Sequence, residues 1–207
     1  MKSSLTIFSV ILWLNVSAQN LHYDIVRNDN HIGSLDVLEK WNGQIQTYSI
    51  LNQVEFKVLF SFRVVYSLTE SFEKGMLVSG QGYNTLNDMK QKETTIQKNE
   101  DGSYELLIDG ITAMGEKSAI FESMAKVYHQ EPIEEKRCYS QYFGTYLTFE
   151  DLGDHRYRLR SPDGENIYKY EYGYCTEVKV IRDFATFYIK IKPETLATIK
   201  SRTANKE

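Results

Sequence analysis

The sequence is poor in the residues that punctuate, cross-link and catalyse: 207 positions hold three prolines, two cysteines and four histidines. With so little proline and no stretch rich in glycine, serine or proline, a flexible linker is excluded, and the length fits one domain. His22, His31, His129 and His155 never stand three to five residues from another histidine or a cysteine, the spacing a zinc site normally shows. Neither cysteine belongs to a C-x-x-C pair, so a thiol redox centre is not indicated. A G-x-S-x-G elbow and the glycine-rich phosphate loops are absent. The acidic clusters "KNEDG" and "EDLGD" lack the spacing of a calcium loop and read as solvated hairpin tips. Basic residues are short as well: 24 lysines and arginines against 28 acids leave a formal charge of −4, which excludes a nucleic-acid surface. No metal, cofactor or catalytic residue is therefore expected.

Against these absences stands the N-terminus, "MKSSLTIFSVILWLNVSAQN". Lys2, the apolar run from Leu5 to Leu14 and the small Ala18 form the pattern of a secretory signal peptide. The run is short of the roughly 20 residues of a membrane-spanning helix, and nothing later approaches that length. The expected organisation is a signal peptide over 1–18 and a single β-rich domain over 19–207, with no transmembrane span in the mature chain. Cleavage near Ala18 releases a periplasmic or secreted protein. In an oxidising compartment Cys138 and Cys175 are expected to pair, closing a loop worth roughly 3–4 kcal/mol; the alternative is two buried thiols.

Within the domain the hydrophobic period is mostly two, and 42% hydrophobic with 13% aromatic content furnishes a core. In "VEFKVLFSFRVVYSL" the residues Val54, Phe56, Val58, Phe60, Phe62, Val64, Tyr66 and Leu68 share one face, while Glu55, Lys57, Ser61 and Arg63 take the other. One strand of that length must bend hard or break into two at a bulge. "GEKSAIFESMAKVYHQEP" spaces Ile120, Met124 and Val127 helically and predicts an amphipathic helix over about 116–129. A second, short helix is expected after Pro193. The fold class is mainly β: an antiparallel, strongly curved sheet or barrel-like meander, covered by one amphipathic helix.

"RYRLRSPDGENIYKYEYGYC" is a hairpin with alternating arginines and tyrosines, and it admits two registers. If Ser161 pairs with Glu165, then Arg158 faces Tyr168 and Arg156 faces Tyr170, so that Arg156, Arg158, Tyr168, Tyr170, Tyr172 and Tyr174 form a binding face. A one-residue slip pairs Tyr157 with Tyr168 and Arg160 with Glu165, turning the tyrosines inward and the arginines to water.

"EPIEEKRCYSQYFGTY" followed by "HRYRLRSPDGENIYKYEYG", together with "IGSLDV", "SFEKGMLVSG" and Gln19 directly after the cleavage point, resembles a group of exported β-proteins of Bacteroidetes type known only as a domain of unknown function. The resemblance implies a fold and a compartment and transfers no catalytic residue; the two cysteines are outside its shared pattern. The function expected is that of a non-enzymatic binding or structural module. Its apolar pocket, for a lipid-like small molecule, would draw on Phe60, Phe62, Phe121 and Met124, and a surface partner protein is the other expected partner. Two alternatives stand beside it. A cell-surface hydrolase would need His155 or a pair of acids converging in a cleft, and an outer-membrane β-barrel would need apolar outward faces.

Overall fold

Short alternating segments, separated by pairs of residues suited to positive φ, build an antiparallel meander. The computed structural model describes residues 17–57, 61–113, 115–183 and 185–204. Eight strands come first: β1 (Ser17–Arg27), β2 (Asn30–Trp41), β3 (Ile45–Lys57), β4 (Ser61–Glu73), β5 (Met76–Leu86), β6 (Met89–Lys98), β7 (Tyr104–Ile108) and β8 (Ile111–Ala113). Six more follow the connection over 115–136: β9 (Arg137–Ser140), β10 (Thr145–Gly153), β11 (Arg156–Ser161), β12 (Gly164–Glu171), β13 (Tyr174–Arg182) and β14 (Ala185–Ile191). Helix α1 (Pro193–Ala204) closes the described chain. Several hairpins turn on two consecutive residues at positive φ, among them Asn28-Asp29, Asn87-Asp88 and Asp154-His155. That geometry matches the right-handed twist of the flanking strands.

All fourteen strands lie in one sheet, in the order β8-β7-β6-β5-β4-β3-β2-β1-β14-β13-β12-β11-β10-β9. First and last strands therefore meet in the middle, Tyr23 pairing with Ile191 and Val26 with Tyr188. Among the described residues the ladder is open at a single place, between β8 and β9, which are consecutive in the chain. The sheet is thus a curled, barrel-like meander whose one seam is bridged by the 115–136 connection.

That connection corrects the expected helix over 116–129: it is an irregular strap. From Ser123 to Tyr128 every residue is buried or half-buried, so this half of the segment has no wet face for an amphipathic helix to present. Its backbone is satisfied by strands instead. Leu77 N donates to Ile120 O, Tyr104 N to Glu116 O, Met124 N to Tyr139 O and Cys175 N to Tyr128 O. Such external partners remove the need for an internal helical ladder. The helix expected after Pro193 is present, with Pro193 in its first turn, Glu194 near its positive end and Arg202 near its negative end.

The long Val/Phe stripe also resolves differently from a single bent strand or a bulge. It is a hairpin, β3 and β4, with Val54 opposite Val64 and Phe56 opposite Phe62; Val58 and Phe60 lie outside the described residues. The even-numbered residues remain on one face across the reversal, and Val54, Leu68 and Phe72 are buried there.

The disulfide expectation is corrected too: Cys138 and Cys175 are free, buried thiols. Three strands separate β9 from β13 in the sheet, about 19 Å along it at ~4.8 Å per strand, and Met124 meets Cys138 with its sulfur at 3.2 Å. Burial pushes the Cys138 thiol up to about 12 and raises Cys175 further, so both stay protonated. Of the segment expected as a leader, Ser17 and Ala18 pair with Trp41 and Lys40; residues 1–16 lie outside the described residues.

Candidate functional site

Antiparallel connectivity puts the turns at residues 28–29, 87–88, 141–144 and 162–163 at one end of the curled sheet, and those at 42–44, 74–75, 154–155 and 172–173 at the other. The strap crosses the second end, touching Leu77 and Phe72 on one wall and Tyr170 and Cys175 on the opposite one. The interior is consequently stoppered below and hollow above. The hollow is a cavity of about 560 Å³, within the roughly 300–1,000 Å³ of small-molecule sites.

The strap supplies the floor, Met124 and Tyr128, with Tyr168 beside them. Leu35, Ile50, Val64, Leu68, Leu159, Val180 and Ile189 make the walls apolar, and Tyr142, Phe143 and Arg182 stand towards the upper end. A belt of polar side chains interrupts one wall. Cross-strand pairing aligns Asn52 with Tyr66 and Tyr66 with Asn84, and both carboxamide oxygens are buried without a partner. A buried, unpaired carbonyl group is destabilising by roughly 1–3 kcal/mol, so the belt costs stability where it interrupts the wall.

Side chains close the seam beside this hollow. Gln141 Nε2 donates to Thr94 O and Oγ1, each at 3.0 Å, and Lys92 Nζ donates to Tyr142 O at 2.7 Å while lying 4.1 Å from the Tyr142 ring centre. Gly80 is required there: a Cβ would overlap the Gln141 carboxamide and come within 3.0 Å of Glu70 Cγ.

A second polar cluster locks the strap to β4. Glu70 is fully buried, Ser123 Oγ donates to its Oε2, and its Oε1 has no partner. Burial drives its carboxyl up to about 7, against the opposing pull of Ser123 and Lys126. Lys126 Nζ bonds Phe121 O, lies 4.4 Å from the Phe72 ring centre and is 3.6 Å from Glu122. His129 faces Glu39 at 3.5 Å, and burial lowers its pKa to about 4. Ser123 and Lys126 have S-x-x-K spacing, a motif that the expectation of no nucleophile had wrongly counted as absent. Ser123 is 1% exposed and bonds to Glu70, so its hydroxyl holds the strap rather than facing a substrate.

The tyrosine and arginine ladder adopts the slipped register, Tyr157 opposite Tyr168 and Arg160 opposite Glu165. Tyr168 and Tyr170 point inward, fully buried. Tyr170 OH donates to Val127 O at 2.8 Å, and Tyr157 OH to Glu131 Oε1 at 2.8 Å, so the inner tyrosines bind the strap. Outside, Arg158 and Arg160 interdigitate with Glu150 and Glu165 at 2.9–3.3 Å, while Arg156 faces Asp154. Tyr172 is exposed on its turn, and Tyr174 OH reaches Gln19. The six residues of the expected binding face are therefore divided among the outer face, the interior and a turn. Of the four pocket residues, Met124 lines the cavity. Phe62 stacks on Phe56 near the upper end, Phe121 is 52% exposed outside, and Phe60 lies outside the described residues.

His155 Nδ1 lies 2.8 Å from Glu131 Oε1, and that hydrogen bond raises its pKa. It is the convergence a hydrolase would need, yet Glu131 also accepts from Tyr157, and among the described residues no hydroxyl or thiol is bonded to the imidazole. Asn52, Glu70 and Arg182 were legible as polar interruptions of inward rows: Asn52 between Ile50 and Val54, Glu70 between Leu68 and Phe72, and Arg182 after Val178 and Val180.

Residues 23–192 match a family described as "Domain of unknown function (DUF6134)". No curated protein and no solved structure matches the chain.

Proposed function

We propose, for a chain that belongs to the DUF6134 family and inherits no known activity from it, that the protein is a carrier or sensor that takes one apolar small molecule into its interior cavity. The observation that carries this reading is the hollow of about 560 Å³ above the strap. Close-packed interiors leave few voids larger than a water molecule, and this one is walled mainly by aliphatic and aromatic side chains with a few convergent polar groups, the usual make-up of a small-molecule site. The buried strap fixes the floor, so the site is largely preformed.

The leader-like N-terminus favours an exported bacterial setting, periplasmic or secreted, where an apolar compound crossing water needs such a shelter. An outer-membrane barrel fits less well: Glu55, Arg63, Glu150 and Arg160 stand exposed on the outer face, where a lipid-facing strand carries apolar residues. Partner binding through the Tyr/Arg hairpin is disfavoured because its outer arginines already satisfy Glu150 and Glu165.

The test is the mass of the purified protein under native conditions, before and after extraction with organic solvent, together with binding of the uncharged probe N-phenyl-1-naphthylamine. An adduct removed by extraction, or saturable probe fluorescence competed by long-chain lipids, supports the proposal. A bare mass and no probe binding would overturn it and leave a packed scaffold.

A further inference from the structure

Arg182 ends the inward row of Val178 and Val180 on β13 and lines the cavity at its upper end. Its Nη1 donates to Ile181 O at 2.9 Å, Asn166 Oδ1 at 3.0 Å and Glu165 O at 3.3 Å. All three acceptors are neutral. Among the described residues no carboxylate lies within 4.0 Å of the guanidinium; Asp163, exposed on the neighbouring turn, lines the same mouth and acts on it only at longer range. The contrast with the outer face is sharp, since Arg158 and Arg160 each meet two carboxylates there. A partly buried guanidinium with no counter-ion is costly unless an anion joins it, and its planar fork suits a carboxylate in two-point contact.

The rest of the cavity says where the remainder of such a guest lies. Below Arg182 aliphatic and aromatic walls run down to Met124 and Tyr128, interrupted on one side by Asn52 and Asn84. Arg182 is the one lysine or arginine among the cavity's lining residues, which makes it the place for an anionic head. Resting on the cavity reading above, we infer that the ligand is a long-chain amphiphile with a single carboxylate head: the head seats on Arg182 at the mouth, and the chain runs down to the strap.

Hexadecanoic acid and hexadecanol, titrated as competitors of N-phenyl-1-naphthylamine at pH 8, test this directly. The expected result is that the acid binds roughly 10- to 100-fold more tightly than the alcohol, the usual weight of a charge-assisted contact. Arg182→Gln should abolish that preference without weakening the alcohol, and Arg182→Lys should retain part of it. Equal binding of acid and alcohol, or a preference that Arg182→Gln leaves intact, overturns the assignment while the cavity reading stands. If neither compound displaces the probe and the probe itself does not bind, both readings fall. A measurement on the unaltered protein decides the matter should Arg182→Gln fail to fold. Bound hexadecanoic acid labelled with carbon-13 at the carboxyl should titrate below the ordinary range of roughly 4–5 if it sits on Arg182. A normal or raised value, as burial without a cation gives, refutes the inference.

Discussion

Glu70→Gln tests whether the strap is latched by a neutral acid. The native carboxyl titrates at about 7 and an ordinary glutamate at 4.5. Folded protein holds this proton to higher pH than the unfolded chain does. Its contribution to stability is therefore fully present below pH 4.5 and is lost as the pH rises to about 7. At 1.36 kcal/mol per pH unit the loss is on the order of 3 kcal/mol. Above pH 7 the protein folds with a carboxylate enclosed and one oxygen unpartnered. Glutamine has nearly the same shape and never ionises. The stability of Glu70→Gln minus that of the native protein should thus rise by about 3 kcal/mol between pH 4.5 and 7 and stay level beyond. Urea unfolding followed by circular dichroism over that range measures it. His129 acts in the opposite direction, its lowered pKa of about 4 giving stability that is present above 6.5 and lost as the pH falls to about 4. Being common to both proteins, it cancels in the difference. A difference that does not change with pH would refute the reasoning, since Glu70 would then be ionised throughout, held by the Lys126 ammonium.

Ile120→Ala removes a fully buried anchor of the strap and should lower stability by about 2–4 kcal/mol, with faster amide exchange at Leu77, whose N–H bonds Ile120 O; a loss below about 1 kcal/mol would mean the strap is not packed as described. Iodoacetamide at pH 8 should leave both cysteines of the folded protein unmodified and alkylate both after unfolding without reductant, because burial holds the thiols protonated; an intact mass lighter by the two hydrogens of a disulfide contradicts this. Gly33→Ala would drive a Cβ into Gln53 O and to 2.8 Å from Val54 Cα, so thermal unfolding should show a loss of about 1–3 kcal/mol; unchanged stability would mean β2 and β3 sit further apart.

Where side-chain period and turn chemistry are local, the sequence carried the structure well. Alternation marked the strands, and residues such as Asn87-Asp88 sit at tight turns because they tolerate positive φ. Pro193 with Arg202 marked the helix. The strap misled because the rule linking spacing to helix assumes one dry face and one wet face. Ile120, Met124 and Val127 recur helically, but Ser123, Ala125 and Lys126 between them are buried as well. A segment enclosed by a curled sheet takes its spacing from the strands it meets, and these are far away in sequence.

The Tyr/Arg hairpin shows the same division. Its residues are compatible with two registers one step apart, and a step of one exchanges every side chain between faces. The choice was made by the interior, where Tyr157 and Tyr170 reach Glu131 and Val127 of the strap, contacts spanning 26 and 43 residues. The candidate site was legible in its parts, as polar breaks in apolar rows at Asn52, Glu70 and Arg182. That Arg182 has no carboxylate within ion-pair distance among the described residues while Arg158 has two follows only from which way the sheet curls. By itself the sequence determined a β-meander with charged outer faces and a terminal helix, because those features follow from neighbours along the chain. Tertiary structure alone decided that the meander curls until β1 meets β14, that residues 115–136 stopper one end, and that a hollow remains above them, because each depends on surfaces brought together from opposite ends of the chain.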